Sequence, residues 1–164
     1  AIRAIDDAVR DVLLEGWYFN TDHDVEITPD VNGEITLADN IMAIDADPLK
    51  ARGVDIVQRG TKLYNKKNHS YVFDAPIKGV SVTYHLEFDE LPVTFKQYVL
   101  AVTKLRFQST IVGDSTLSSV LVQDAQRARI AVVAEEIRQS DRNLLDMNPN
   151  STLGFSSFHN AMRR

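Results

Sequence analysis

The 164-residue sequence has no cysteine, so it can form neither a disulfide nor a thiolate metal site. It has no excess of basic residues either, because 18 Lys and Arg stand against 23 Asp and Glu and give a formal net charge of −5. Affinity for nucleic acid comes largely from cations that displace counterions, and an acidic chain is therefore a poor candidate for gripping DNA. No apolar run approaches the roughly 20 residues that span a bilayer, so we expect no membrane segment.

The sequence contains 44% apolar and 25% charged residues. These fractions are typical of globular proteins and argue against a wholly disordered chain. The length suggests one domain, or one domain with an appended element. The sequence begins at Ala1 inside a helical pattern and without an initiator Met, so we expect further residues upstream.

Hydrophobic spacing predicts three helices. The first covers residues 2–14 and ends before Gly16. The second opens at Pro92 and continues to about residue 111, and the third runs from residue 114 or 115 to about residue 142. At 1.5 Å per residue the third helix is roughly 40 Å long. Its apolar face is predicted to consist of Leu117, Leu121, Ala125, Ala128, Val132 and Ile137.

Residues 25–88, between the first two helices, alternate in polarity over short segments, which is typical of strands. Residues 54–64 are predicted to form a hairpin around Gly60, and residues 71–73 another short strand. The longest predicted strand covers residues 78–88, and its alternation indicates a sheet with one wet side. One face of that strand carries Val80, Val82, Tyr84, Leu86 and Phe88.

Together these patterns predict an α+β fold: a bundle of about three helices with an inserted antiparallel β subdomain and an extended C-terminal arm. The bundle is assigned to residues 1–20 and 89–147, the β subdomain to residues 21–88 and the arm to residues 148–164. The arm is rich in Ser and keeps isolated apolar residues, which favours a segment that orders on a neighbouring protein over a frayed terminus.

No motif establishes a catalytic or metal-binding residue. Asp22-His23-Asp24 could in principle seat a cation, but a solvated turn is the favoured interpretation. Asp45-Ala46-Asp47 resembles a metal-binding fragment, yet Pro48 follows at once and indicates a surface loop. We therefore predict no catalytic residue, no bound metal and no cofactor.

Two clusters leave an alternative function open. Glu87, Asp89 and Glu90 could act as paired carboxylates on a carbohydrate substrate, although acidic residues before a helix more simply stabilise its N-terminal dipole. A basic and aromatic segment could contact nucleic acid, although lysines on an edge strand also discourage mispairing. That segment contains Lys62, Lys66, Lys67, Lys78, Tyr64 and Tyr71.

Four segments follow one another in a distinctive order. Residues 15–20, Glu-Gly-Trp-Tyr-Phe-Asn, end the first helix, and residues 27–30, Ile-Thr-Pro-Asp, close the first strand. An Arg-Gly hairpin at residues 54–65 and an acidic-to-Pro helix entry at residues 88–95 come next, and the helix that follows carries Lys104, Arg106 and Phe107. Together these segments resemble the tail tubular protein A family of T7-like podoviruses, the head-to-tail adaptor of short-tailed phages. The similarity extends to about residue 147.

The resemblance implies a non-enzymatic virion protein of the phage tail, assembled in the host bacterial cytoplasm. It implies a homo-oligomer, a ring of twelve copies, that joins the portal protein to the tail nozzle protein and lines the DNA channel during genome ejection. DNA would pass through this channel without specific binding, since an acidic wall repels phosphate. A tail-associated carbohydrate-degrading enzyme is the alternative.

The functional residues expected of such a protein lie at interfaces. Three charged side chains of the third helix are expected to contact a neighbouring copy: Arg127, Glu135 and Arg138. Two aromatic side chains of the arm are expected to dock on the portal or the nozzle: Phe155 and Phe158. Trp17 and Phe19 are expected to anchor the core and have a structural role only.

Overall fold

A computed structural model describes residues 2–51, 53–112 and 115–145 of the chain. The fold is α+β, as predicted, with three α-helices and five strands among these residues. The helices are α1 (Ile2–Leu13), α2 (Val93–Phe107) and α3 (Ser115–Leu145). The strands are β1 (Thr21–Ile27), β2 (Ile41–Ala46), β3 (Ile56–Arg59), β4 (Lys62–Asn65) and β5 (Ile77–Tyr84). The predicted arm, with Phe155 and Phe158, lies outside the described residues.

The strands form two small antiparallel sheets. In the larger sheet the order is β1-β5-β2, so that β5 is the central strand, and the predicted hairpin is confirmed as the pair β3-β4. Gly79 in β5 has a φ of +71°, and a Cβ atom there would lie only 2.3 Å from the Cβ atom of Lys50. Glycine is therefore required at this close approach between the strand and the loop that follows β2.

Four local predictions about the strands are wrong. Asp45 and Ala46 do not lie in a loop but form the end of β2, where they pair with Ser81 and Val80. Residues 22–24 are not a turn but part of β1, and the pairing with β5 shifts between Asp22 and Val25, where Asp24 has a φ of +62°. Such an irregularity breaks the period-two pattern by which a strand is recognised. Residues 71–73 do not form a strand, since Val72 makes only an isolated bridge to Glu34. The strand predicted to reach residue 88 ends at Tyr84.

The predicted apolar face of this longest strand is divided between two hydrophobic cores. Val80 and Val82 are buried in a core formed by the β region, whereas Leu86 and Phe88 pack against a core formed by the helices. The helical core consists of Ala8, Val9, Val12, Leu13, Trp17, Leu91, Phe95, Tyr98, Val99 and Val132. The β core consists of Ile35, Leu37, Ala46, Ala51, Ile56, Leu63, Phe73, Ile77, Val80 and Val82.

The segment after α1 anchors the helical core and connects it to the sheet. The rings of Trp17 and Phe19 make edge contacts with Phe95 at centroid distances of 5.0 and 4.4 Å, which confirms the predicted core anchor. The buried Asn20 side chain accepts a hydrogen bond from the Trp17 backbone N–H at 2.8 Å. Its Nδ2 donates to the carbonyl oxygens of Leu13 and Tyr84, each at 3.0 Å. One satisfied amide therefore ties the end of α1 to the end of β5.

Helix α2 leads through a short irregular turn into α3. The helix prediction to about residue 111 is partly wrong, because α-helical geometry ends at Phe107 and a π-helical turn covers Gln108–Val112. Helix α3 contains 31 residues against 15 in α2. At 1.5 Å per residue α3 is about 46 Å long and about twice the length of α2. Among the described residues, no other helix is as long as α3.

Candidate functional site

The inner side of α3 packs against the helical core through small and medium-sized side chains. Val132 is fully buried, Ala125 is buried and Ala128 is half-buried, in agreement with the predicted face. Leu117 and Ile137, which were assigned to the same face, are exposed instead. Ile137 follows Val132 by five residues, which places it about 140° around the helix. The hydrophobic contact that holds α3 in place is therefore narrow.

A guanidinium clamp supplements this contact. The two Nη atoms of Arg129 donate to the two carboxylate oxygens of Glu15, each at 2.8 Å, and Nη1 also donates to the Tyr98 hydroxyl at 3.0 Å. The hydrogen bond to Glu15 raises the pKa of the Arg129 guanidinium above its ordinary value, so the clamp keeps its charge. Such a fork-to-fork pair fixes the orientation of both groups and not only their separation.

A second clamp joins α3 to the segment after α1. The Tyr18 hydroxyl donates to Glu135 Oε1 at 2.8 Å, and the Tyr18 backbone N–H donates to Glu136 Oε2 at 3.1 Å. Burial, reinforced by the hydrogen bond to Glu135, raises the pKa of Tyr18 to about 12. Glu135 is thus engaged within its own chain, and its contact with a neighbouring copy stays a prediction.

The outer side of α3 exposes a row of large apolar side chains. The exposed fractions are 39% for Val122, 69% for Ile130, 39% for Val133 and 49% for Ile137. Their positions i, i+8, i+11 and i+15 fall on one face of a helix, and we call this set the outer stripe. Single exposed apolar residues are ordinary, whereas a patch such as Ile130, Val133 and Ile137 marks an interaction surface. Gln126 separates this patch from Val122 on the same face. The sequence of α3 contains this second apolar series, but the prediction of its apolar face used only the series that faces the core.

A different surface of α3 presents small side chains between two arginines. It consists of Arg127, Ala131, Ala134 and Arg138, all exposed, and we call it the alanine flank. Arg127 Nη1 lies 3.6 Å from Asp124 Oδ1, and Arg138 Nε donates to the Ala134 carbonyl oxygen at 3.2 Å. Two of the three residues predicted to contact a neighbour therefore lie together on this flank, whereas Glu135 lies toward the inner side.

The acidic cluster before α2 has a structural explanation. Glu90 accepts a hydrogen bond from the Glu87 backbone N–H at 2.8 Å, and the Glu90 N–H donates to the Glu87 carbonyl oxygen at 2.9 Å. This reciprocal pairing caps the short 3-10 turn Phe88–Glu90. The backbone oxygen of Asp89 accepts from Lys96 Nζ at 2.8 Å. The carboxylates are exposed and shape the entry to α2, in keeping with the structural interpretation.

Most lysines of the basic β segment are paired with carboxylates. Lys62 contacts Glu34 at 2.5 Å, Lys66 contacts Asp55 at 3.0 Å and Lys78 contacts Glu26 at 3.5 Å. The aromatic rings also contact other side chains, and Tyr71 stays 38% exposed. The guanidinium of Arg59 lies 3.5 Å above the centre of the Tyr64 ring, and Tyr64 makes an edge contact with Tyr71 at 5.0 Å. These pairs neutralise part of the positive charge that a nucleic acid would need.

Among the described residues, the two best-formed surface depressions contain no histidine. One, of about 470 Å³, lies in the β region and is lined mainly by apolar and amide side chains, with Lys50, Lys78 and Glu26 among the charged ones. His23 Nδ1 and Ser81 Oγ lie 3.0 Å apart, but on the exposed surface of the sheet and outside this depression. No cluster of His, Asp and Glu among the described residues is arranged to hold a metal ion. Within the same residues, no helix is long and apolar enough to cross a bilayer.

Comparison with known families decides the class of protein. The family of tail tubular proteins matches residues 1–142. The chain belongs to the tail tubular protein family. It is therefore a structural component of a phage tail, which agrees with the resemblance seen in the sequence. No curated protein matches this tail tubular protein significantly.

Proposed function

We propose that this tail tubular protein is an adaptor subunit that joins the portal protein to the tail nozzle protein of a short-tailed phage. Twelve copies form a ring around the channel through which the genome is ejected. The protein acts through its interfaces and carries out no reaction. The carbohydrate-degrading alternative gains no support, because Glu87 and Glu90 are engaged in capping a turn.

This proposal rests on a difference between the two sides of α3. The inner side is hydrogen-bonded to the rest of the chain, and the outer side is exposed. Arg129, Glu135 and Glu136 hold its inner side to the body of the chain. In the part of the chain that the structure describes, the outer stripe exposes aliphatic surface that water hydrates unfavourably. A subunit of a tube needs both kinds of surface, because each copy folds as a single chain and then binds its neighbours.

The charge of the chain suits a passage for DNA. The formal net charge is −5, and a channel wall with excess carboxylates repels phosphate instead of binding it. The lysines of the β region are mostly neutralised by neighbouring carboxylates, as Lys62 is by Glu34. We propose that DNA slides through the ring without specific binding.

The C-terminal segment is proposed to dock on the portal or the nozzle through Phe155 and Phe158. Aromatic residues are enriched among those that dominate binding energy, because they bury a large area with little loss of side-chain entropy. Deleting residues 148–164 should leave the chain folded, since the two cores formed by the described residues draw on positions 8–132. The same deletion should weaken binding to the portal or the nozzle, as measured by pull-down of each purified partner.

The particle mass of the purified protein, alone and mixed with purified portal, tests the proposal directly. Mass photometry should show a discrete complex on the portal whose added mass corresponds to about twelve subunits, the copy number that the family resemblance implies, in a closed ring. An unrelated ring-shaped protein of similar diameter serves as the control and should recruit nothing. A chain that stays unbound over the whole accessible concentration range would rule the adaptor role out.

A further inference from the structure

We propose that the tip of the hairpin β3–β4 binds a carboxylate group of another protein subunit in the assembly. The site consists of the Arg59 guanidinium with the Tyr64 and Tyr71 rings that support it, and we call it the hairpin site. This inference rests on the proposed adaptor, which acts through its interfaces, and it adds the chemistry of one contact. The carboxylate belongs to a neighbouring copy, to the portal or to the nozzle, and binding measurements distinguish these three sources.

Aromatic stacking holds the guanidinium of Arg59 in place. The group lies 3.5 Å above the centre of the Tyr64 ring, and Tyr64 in turn makes an edge contact with Tyr71 at 5.0 Å between ring centres. A stacked guanidinium uses one of its faces, whereas its five N–H donors lie in the plane of the group. The stack therefore fixes this plane and leaves the donors available to a partner.

These donors have no acceptor in the part of the chain that the structure describes. There Arg59 forms no ion pair and its side chain donates no hydrogen bond, whereas Lys62 and Lys66 are paired with Glu34 and Asp55. Lys62 lies directly opposite Arg59 in the hairpin, so its pairing with Glu34 leaves Arg59 as the unmatched cation at the tip. Because a guanidinium does not lose its proton in proteins, this charge stays in place for a partner to match.

Hydrogen bonds fix the position of the tip. The hairpin is paired without a shift along its whole length. Gln58 Nε2 donates to the Gly60 carbonyl oxygen within the turn at 3.1 Å. The carbonyl oxygen of Thr61 accepts from the backbone N–H of Leu37, a residue of the β core, at 2.7 Å. The position of Arg59 is therefore set before a partner arrives, which lowers the entropy lost on binding.

The chemistry of the site favours a carboxylate over the phosphates of DNA, although both anions fit the planar fork of a guanidinium. Affinity for DNA comes from several cations along the backbone. Among the described residues the hairpin offers one unpaired cation at its tip, because Lys67 lies in the turn after the other end of β4. The chain has 23 Asp and Glu against 18 Lys and Arg, so each copy repels DNA overall and supplies carboxylates to its neighbours.

Three substitutions separate the geometry of the site from its charge. Arg59→Lys keeps the charge but removes the fork, and Tyr64→Leu keeps the fork but removes the ring that holds it. Lys67→Gln is the matched control, since it removes a cation from the same basic segment at the end away from the tip. Arg59 and Lys67 are both exposed, so these two variants should unfold in urea like the wild-type chain.

Binding measurements on the full chain identify the source of the anion. Biolayer interferometry measures its affinity for purified portal, for purified nozzle and for a short DNA duplex, and analytical ultracentrifugation measures its self-association. For one of the three protein partners, Arg59→Lys and Tyr64→Leu should each weaken the affinity about tenfold, the equivalent of roughly one charged hydrogen bond. Lys67→Gln should change the same affinity less than about twofold. The partner whose affinity falls is the source of the carboxylate.

The outcomes separate this inference from the proposed function. Unchanged affinities of Arg59→Lys and Tyr64→Leu for all three protein partners would overturn the carboxylate site while leaving the adaptor role intact. An effect confined to the DNA duplex would assign the site to phosphate, and an equal loss in Lys67→Gln would replace the fork with general positive charge, so either result would overturn the inference. Failure of the unmodified protein to bind both portal and nozzle would overturn the adaptor role, and self-association alone would then decide the hairpin site.

Discussion

The helical half and the β half of this tail tubular protein have interiors of equal size but different surfaces. Among the described residues each half buries a cluster of ten side chains. On the β half, charged side chains are paired across strands and loops, as Lys66 is with Asp55 and Lys50 with Asp24. Its most exposed aliphatic residues, Val31 and Leu49, stand singly at turns. On the helical half, four large aliphatic residues form the row on α3.

This difference indicates which surface of the subunit binds another molecule. A surface with paired charges and isolated apolar residues is stable in water as it stands. A row of exposed aliphatic side chains on a long helix is a surface that another molecule covers. Polar clamps reinforce the apolar contact between α3 and the body of the chain. The following substitutions test whether the two cores, the polar clamps and the outer surface of α3 contribute differently to stability and to assembly.

The largest effect is expected in the two interiors. Phe95→Ala in the helical core should cost about 3–5 kcal/mol and Leu63→Ala in the β core about 2–5 kcal/mol, from lost burial and a residual cavity. Because Asn20 ties the two halves together, both variants should lower one shared transition in urea denaturation. Val93→Ala, at an exposed position before the same core, should change stability little. Two separate transitions would show that the halves are independent units.

A smaller effect is expected at the guanidinium clamp. Arg129→Gln should cost about 1–2 kcal/mol, since it removes a bidentate charged pair that is partly open to solvent. Arg127→Gln is the matched control on the same helix, and its more exposed pair with Asp124 should contribute less than about 0.5 kcal/mol. Equal losses in urea denaturation would mean that the clamp does not fasten α3.

The smallest effect is expected from the ionisation of Tyr18. Its pKa is raised in the folded chain from 10.0 to about 12, so the folded state holds the phenolic proton more tightly than the unfolded state does. This contribution is fully present below about pH 10 and is lost as the pH rises through about 12. The stability advantage of the wild-type chain over Tyr18→Phe should therefore be constant from about pH 8 to pH 10 and shrink above it. A difference that is flat through pH 11 would contradict the clamp.

Sequence patterns predicted the fold class and the helices well because their spacing is long and regular. The bounds and the pairing of the strands were harder to predict from the sequence. The pairing shift near Asp24 interrupts alternation, and the Val80–Phe88 series serves two cores that only the folded chain separates. At the candidate site, Arg127 and Arg138 were predicted to be exposed partners, and the structure places them together on one flank. Glu135 could not be distinguished from them, because its partner Tyr18 lies more than a hundred positions away in the sequence.

A pair of matched double variants tests most directly whether the outer side of α3 is the surface that other copies complete. Ile130→Ser with Ile137→Ser removes two exposed aliphatic side chains from the stripe, and Val31→Ser with Leu49→Ser removes two from the β half. Both should unfold in urea within about 0.5 kcal/mol of the wild-type chain, as surface substitutions usually do. In mass photometry with the portal, the stripe variant should lose ring assembly while the β variant keeps it. Rings of normal mass from the stripe variant would contradict the account.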